Sequence, residues 1–499
     1  MAAVLEESGR ICELADLAAP AVGAAARRIA RRAGAASISD ERIESALLLG
    51  LTAGLAWAPF WLGGNRMTPW GVNAILFPAL ALTYEISLFA RGRRHPFAAR
   101  RIIASIVLFL FAALWAFAQT SPLASMAFAH PIWGTASDAL GTVLPATISV
   151  DPPTTLRALM RLLTDASVLW LAVQLSRDFS RALFLLQAIA AIVTAYAAYG
   201  LILAVVDGAA IPFFDAPAGG PVRSTFVNRN SFAAYAGLGL VVVVALTLRL
   251  YRRAIPDATG AASFRLSAFL TATGGRGGVL IGAGLLILVA LLGTLSRGGI
   301  LSTAVAVFAV LALTATRQSQ KRSERIEAIV FVAVAVAIAF VLFGDRFVGR
   351  IAESGLDDSS RVAVYLITLR AIIDAPLLGF GYGTFADVFP MYRDQSIPPF
   401  ETWELAHNTY LEVWLGLGLL FGTALMAAIG LLALKCVAGA VKRQRAAIAP
   451  IVATAATLLV GAHALVDFSL QMEGVALTFM ALLGAGVAQS ESSRHAVAD

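Results

Sequence analysis

Apolar runs dominate the chain, and short polar intervals divide them. A membrane-spanning helix needs roughly 20 mostly apolar residues. On that measure the pattern predicts about twelve spans: 44–63, 71–90, 102–119, 159–176, 182–206, 231–249, 279–295, 300–316, 326–343, 406–434, 447–466 and 474–489. The expected fold class is an all-α polytopic membrane protein. Its parts are a cytoplasmic segment 1–43, spans one to nine over 44–343, one large outer loop 344–405, spans ten to twelve over 406–489, and a cytoplasmic tail 490–499.

Only the 344–405 interval is long enough to fold outside the bilayer. Within it, "DDSSRVAVYLITLRAIIDAP" predicts a helix. Asp358 or Ser359 can cap its start, Val362, Leu366, Leu369 and Ile373 line one apolar face, and Pro376 ends it. "GFGYGTF" follows. A nucleotide-binding glycine motif needs a strand before it, so this one reads as a turn in which backbone packs closely on backbone.

Composition agrees with the pattern. The chain is 59% hydrophobic and 14% charged, against about 25% charged in soluble domains. The formal net charge of +7 would suggest a nucleic-acid partner, but mapping the charges gives another meaning. With the N-terminus in the cytoplasm, the short inner loops 91–101, 177–181, 249–278, 317–325 and 435–445 carry about twenty Arg and Lys, and the short outer turns about four. The opposite orientation would break the positive-inside rule at nearly every loop. "ARRIARRAG" near the start lacks the apolar core of a signal peptide. Cys12 and Cys436 are far apart and suggest neither a disulfide nor a metal site.

The exceptions to the charge rule carry the candidate chemistry. Arg297 sits in "GTLSRGGILS", a turn of a few residues between two spans on the outer side. Its two glycines read as clearance for a phosphate group. Arg223 and Arg229 lie in "VRSTFVNRNSFAAYAG" with Asn228 and Asn230, and Arg361 opens the outer helix. A guanidinium stays charged everywhere and binds phosphate oxygens through a planar fork. Four such forks on one side predict an anion at the outer surface. Arg66, Arg346, Arg350, Arg370 and Arg393 read instead as interfacial arginines reaching lipid phosphates.

His407 stands at the outer mouth of span ten, beside Asn408 and about one turn above Glu412. Its ordinary pKa suits proton transfer near neutrality. His130 falls in a turn, and His463 lies four residues before Asp467, a spacing that pairs them on one helix face. No metal-ligand spacing, P-loop or nucleophile elbow occurs. No cofactor or metal is expected, and the chemistry should run on arginine, histidine and a carboxylate. A transporter would show paired broken helices with charge at mid-membrane; Glu85 and Asp165 lie toward span ends instead.

These residues resemble the O-antigen ligase and polymerase superfamily of integral membrane glycosyltransferases. The resembling stretches are "STFVNRNSFAAY", "LSRGGILS", "SSRVAVYLITLRAIIDAPLLGFGYGTF", "AHNTYLEVWLGLGLLFG" and "HALVDFSL". Together they span 222–470. The resemblance implies a GT-C-like helical bundle with its site on the periplasmic face of the inner membrane. It also implies a glycan donor on undecaprenyl diphosphate, and lipid A–core or a growing glycan as acceptor. In that setting His407, Arg297 and Glu412 would be catalytic, and Arg223, Arg229, Asn228, Asn230, Arg361 and Asn408 would bind substrate. Phe421 stands where the ligase-type pattern has a small residue. Transfer to lipopolysaccharide, polymerisation of O-antigen or exopolysaccharide repeats, and transfer to protein hydroxyls therefore stay open.

Overall fold

The computed structural model describes residues 41–122, 128–205, 220–254, 267, 270–315, 357–443 and 445–491. Two units are distinguished, residues 1–50 and 51–499. In the first, residues 41–50 are helical (α1). The second contains α2 (Met67–Ala90), α3 (Ile103–Ala118), α4 (Ile132–Leu140), α5 (Pro152–Leu175), α6 (Phe179–Val205), α7 (Arg229–Ala254), α8 (Gly278–Gly293) and α9 (Arg297–Ala315). It continues with α10 (Asp357–Asp374), α11 (Phe385–Tyr392), α12 (Thr409–Lys442), α13 (Ile448–His463) and α14 (Glu473–Gln489). No strand occurs among the described residues.

Eight described helices are long and apolar enough to cross a membrane, and α13 and α14 are shorter apolar helices. This is an all-helical polytopic membrane protein. The expected span 326–343 lies outside the described residues, as do Arg346 and Arg350. The most enclosed helices are α7 and α14, with α14 packed along α5 and α13. Small residues allow the close approach: Gly484 faces Ala172, and Gly486 faces Ala453 and Cys436. Small-residue contacts of this kind drive helix association where the surrounding solvent is as apolar as the side chains.

The last-but-two helix departs from the expected span 406–434. At 34 residues, α12 is about 50 Å long, more than a bilayer's hydrocarbon core of about 30 Å. It is broken at Gly418, whose φ of 78° and ψ of 167° are not helical. A break at membrane depth frees carbonyls and amides that lipid cannot satisfy. The "GFGYG" turn after α10 supplies partners. Phe380 N donates to Leu415 O at 3.0 Å, Gly381 N to Gly416 O at 3.0 Å, and Leu419 N donates to Pro376 O at 2.7 Å. From α3, Gln119 Nε2 donates to Gly416 O and Leu378 O, both at 2.7 Å, and Trp115 Nε1 donates to Leu417 O at 3.1 Å. The glycine-rich turn is thus a backbone clamp, as its sequence suggested.

The helix expected after residue 357 is present as α10 and ends before Pro376. Its buried face differs from the expected one. Val364, Ile367, Ala371 and Ile372 are buried, packed with Phe380, Phe385 and Phe389. Val362, Leu366, Leu369 and Ile373 are exposed. The helix is apolar on both sides, so periodicity could not choose between them.

The clamp gives a sharp test. A Cβ at Gly418 would lie 2.3 Å from Leu377 O, and this backbone conformation is open almost only to glycine. Gly418→Ala should destabilise the protein by more than about 2 kcal/mol, read as a lowered midpoint of thermal unfolding in detergent. Gly430→Ala, in the same helix with open space around it, should leave the midpoint unchanged or raise it.

Candidate functional site

The starts of α7, α9 and α12 converge on one short turn, residues 464–472, between α13 and α14. Each joins it by specific contacts. At α7, Asn228 opens the helix: its Oδ1 accepts from Asn230 N at 2.7 Å, and its carbonyl accepts from Phe232 N at 3.2 Å. Asn230 Nδ2 then donates to Asp467 Oδ2 at 2.6 Å. Arg229, between the two asparagines, is exposed at the helix start. Arg223 is half-buried in the loop before it. That loop is tied to the Arg297 turn, because Val222 N donates to Gly293 O at 2.9 Å.

Arg297 is the exposed first residue of α9. Ser296 caps that helix, its Oγ accepting from Gly299 N at 3.2 Å. The neighbouring glycines have a packing role that corrects the expectation of phosphate clearance. A Cβ at Gly299 would sit 2.4 Å from the Ala233 Cβ of α7. One at Gly298 would sit 3.1 Å from Val466 and 3.8 Å from the His463 ring. The small residues press the arginine turn against α7 and against the 464–472 turn.

At α12, Asn408 is the helix cap. Its Oδ1 accepts from Tyr410 N and Leu411 N, each at 3.1 Å, and its Nδ2 donates to Leu465 O at 3.0 Å. The expected substrate-binding carboxamide therefore joins the helix start to the turn. Thr409 adds two bonds to the same turn, N to Ala464 O at 2.9 Å and Oγ1 to Asp467 O at 3.2 Å.

His407 directly precedes this cap with a φ of 53°, a left-handed conformation uncommon for a side-chain-bearing residue. Surrounding contacts hold it there. Tyr365 of α10 donates its hydroxyl to His407 O at 2.9 Å, and the ring packs edge-on against Phe468 and Trp403. Nδ1 lies 4.0 Å from Asp467 Oδ2. Such a separation is too long for a formed hydrogen bond, but hydrogen bonds of catalytic groups commonly tighten when substrate binds. Arg361 is half-buried one turn before Tyr365, on the same side of α10.

Glu412 turns back over the start of α12. Its Oε1 accepts from Ala406 N at 2.5 Å, and its Oε2 accepts from Gln471 Nε2. Both oxygens hold backbone and turn around His407. Arg161 of α5 donates to Gln471 O, lies 3.7 Å from Glu473 Oε1, and covers the Trp70 ring at 4.6 Å. Asn73 of α2 donates to the other oxygen of Glu473 at 2.6 Å. The early helices thus brace the turn from behind.

One histidine expectation changes. His463 ends α13, so Asp467 lies beyond the helix and not on its face. The His463 ring pairs with Ser469 Oγ at 3.0 Å, while Asp467 goes to Asn230 and His407. His130 accepts from Ile132 N at 3.2 Å and stacks near Phe380, and burial holds its pKa below the ordinary value. It forms part of the turn, as its place in the sequence suggested. Among the outer arginines read as interfacial, Arg370 pairs with Asp394 at 2.8 Å.

Sequence reasoning did not single out Asp467 for the site, nor Gln471 or Arg161. An available signal was Arg161 itself, an arginine inside the expected span 159–176. Charges at that depth face the bundle and find partners.

The fold and this cluster define a polytopic helical membrane protein with a basic, histidine-bearing site at one end of its bundle. Residues 282–427 match the sequence model of the O-antigen ligase family. The match is consistent with the O-antigen ligase and polymerase superfamily. It takes in Arg297, Arg361, His407, Asn408 and Glu412, and stops short of the 464–472 turn. No curated protein matches the chain.

The Asn230–Asp467 contact can be tested without any activity. Asn230→Asp would place two carboxylates in hydrogen-bond contact, where they must share a proton. The folded protein would then hold a proton the unfolded chain releases. Stability should be greatest near pH 4 and fall by about 1–3 kcal/mol toward pH 8. The fall should be steeper than that of the wild type, and thermal unfolding across that range compares the two.

Proposed function

We propose that the protein is a membrane glycosyltransferase that moves a glycan from undecaprenyl diphosphate to an acceptor hydroxyl on the periplasmic side of the inner membrane, in the manner of an O-antigen ligase. The observation that carries this reading is the convergence of Arg223, Arg229, Arg297 and His407 on one end of the bundle, within and beside the matched region. A diphosphate at the membrane surface needs fixed cations at headgroup depth, and guanidinium forks suit its oxygens.

The reaction needs no covalent enzyme intermediate. His407 Nε2 takes the acceptor's hydroxyl proton as the oxygen attacks the anomeric carbon from the face opposite the diphosphate. The C–O bond to the diphosphate breaks, and its electron pair leaves with undecaprenyl diphosphate. Arg297 and Arg223, with Arg229 and Arg361, meet that developing negative charge. Asp467 lies beside Nδ1 and favours the imidazolium that forms. Asn228, Asn230, Asn408 and Glu412 act as positioning residues, because their polar atoms hold helix starts and the 464–472 turn. The anomeric configuration inverts.

Polymerisation of repeat units uses the same donor and chemistry, and differs only in the acceptor. A deletion strain separates the two. Loss of long glycan from lipid A–core alone marks a ligase, whereas accumulation of single lipid-linked repeats marks a polymerase.

Transfer from a polyprenyl-diphosphate-linked glycan measures the residue roles. His407→Ala and Arg297→Ala should each lower the rate by at least about 100-fold. Arg297→Lys should restore little, because an ammonium offers no fork. Wild-type rates in a folded His407→Ala protein would remove histidine as the base.

A further inference from the structure

The end of the bundle far from His407 holds a second basic site. Arg249 lies about 30 Å along α7 from Arg229. There α7, the end of α9 and the start of α13 enclose a cavity of about 190 Å³. A single water needs about 15 Å³ by the same measure, so there is room for a phosphate-sized group. Arg249, Arg252 and Arg253 line it, and none of the described lining residues is acidic.

Two of the three cations are held in place by different means. The Arg249 guanidinium lies 5.2 Å above the Phe179 ring, and Arg252 donates to Thr314 O at 2.5 Å. Spaced at i, i+3 and i+4, the three share one helix face and repel one another. Across the cavity lies the start of α13. Its cap residue, Ala447, offers no side-chain oxygen to the first helical amides. Unsatisfied amides at a helix start carry partial positive charge and favour an anion. The three guanidiniums and the first amides of α13 therefore favour negative charge. Its remaining wall is apolar, formed in part by Leu248, Ile448 and Ile451.

We propose that this cavity binds the phosphodiester headgroup of an anionic phospholipid, with the apolar wall receiving the first part of an acyl chain. A basic pocket between spanning helices at a membrane surface is a common way to hold such a lipid. Guanidiniums meet the phosphate oxygens, and the α13 amides complete the cradle. The proposal is independent of the transfer chemistry at the other end.

The test is native mass spectrometry of the full chain, purified in neutral detergent and exposed to phosphatidylglycerol, phosphatidylcholine or inorganic phosphate. Wild-type protein should retain phosphatidylglycerol at least about tenfold better than phosphatidylcholine, a difference of ~1.4 kcal/mol. Arg249→Gln/Arg253→Gln should abolish that preference. Arg276→Gln/Arg445→Gln removes the same charge from exposed positions outside the cavity, and should keep it. Because Arg249 also rests on Phe179, the single Arg253→Gln variant serves if the double variant does not fold, and should lower the preference severalfold. Equal retention of the two lipids by wild type, or an unchanged preference in the cavity variants, would overturn the proposal. So would displacement of phosphatidylglycerol by equimolar inorganic phosphate, which would assign the cavity to a soluble anion.

Discussion

A backbone break inside a membrane protein must find new hydrogen-bond partners, because lipid offers none. That constraint organises the end of the molecule that holds His407. α12 breaks at Gly418, and the freed groups are met by the turn at 376–381 and by Gln119 and Trp115 of α3. The layer of α10 and α11 is thereby fastened to the spanning helices. The same attachment brings Tyr365 over the carbonyl of His407.

The second organising element is the turn between α13 and α14. It gathers the starts of three helices, α7 through Asn230, α9 through the close approach at Gly298, and α12 through Asn408 and Thr409. Helix starts carry partial positive charge, so their convergence adds to the field of Arg223, Arg229 and Arg297. Arg161 and Asn73 hold the turn and Glu473 from the side of the early helices. Together these contacts surround a histidine in a left-handed backbone conformation beside a carboxylate.

Much of this was legible from the sequence. Hydropathy located the described spanning helices, although α5 begins before and α12 runs beyond the expected bounds, and the arginines expected on the outer side and His407 stood out against the charge pattern. The turn reading of "GFGYG" followed from the missing strand before it. What the sequence left ambiguous has physical causes. α10 is apolar on both faces, so its buried side depends on what α11 and α12 place beside it. The pairing of His463 with Asp467 assumed a helix that stops at His463. Asn408 beside a histidine looked like a ligand, although an asparagine before Thr-Tyr-Leu-Glu is also a helix-cap signature. Gly299 looked like room for phosphate, and its neighbour Ala233 is 66 positions away in sequence. Contacts over such separations leave no local mark.

The central claim is a one-step displacement in which His407 activates the acceptor while the arginines hold the departing diphosphate. The most direct measurement is the anomeric configuration of the newly formed linkage, compared by NMR with that of the lipid-linked donor. The account predicts inversion. Retention of configuration would require a second displacement through an enzyme-bound or otherwise inverted intermediate, and would contradict it.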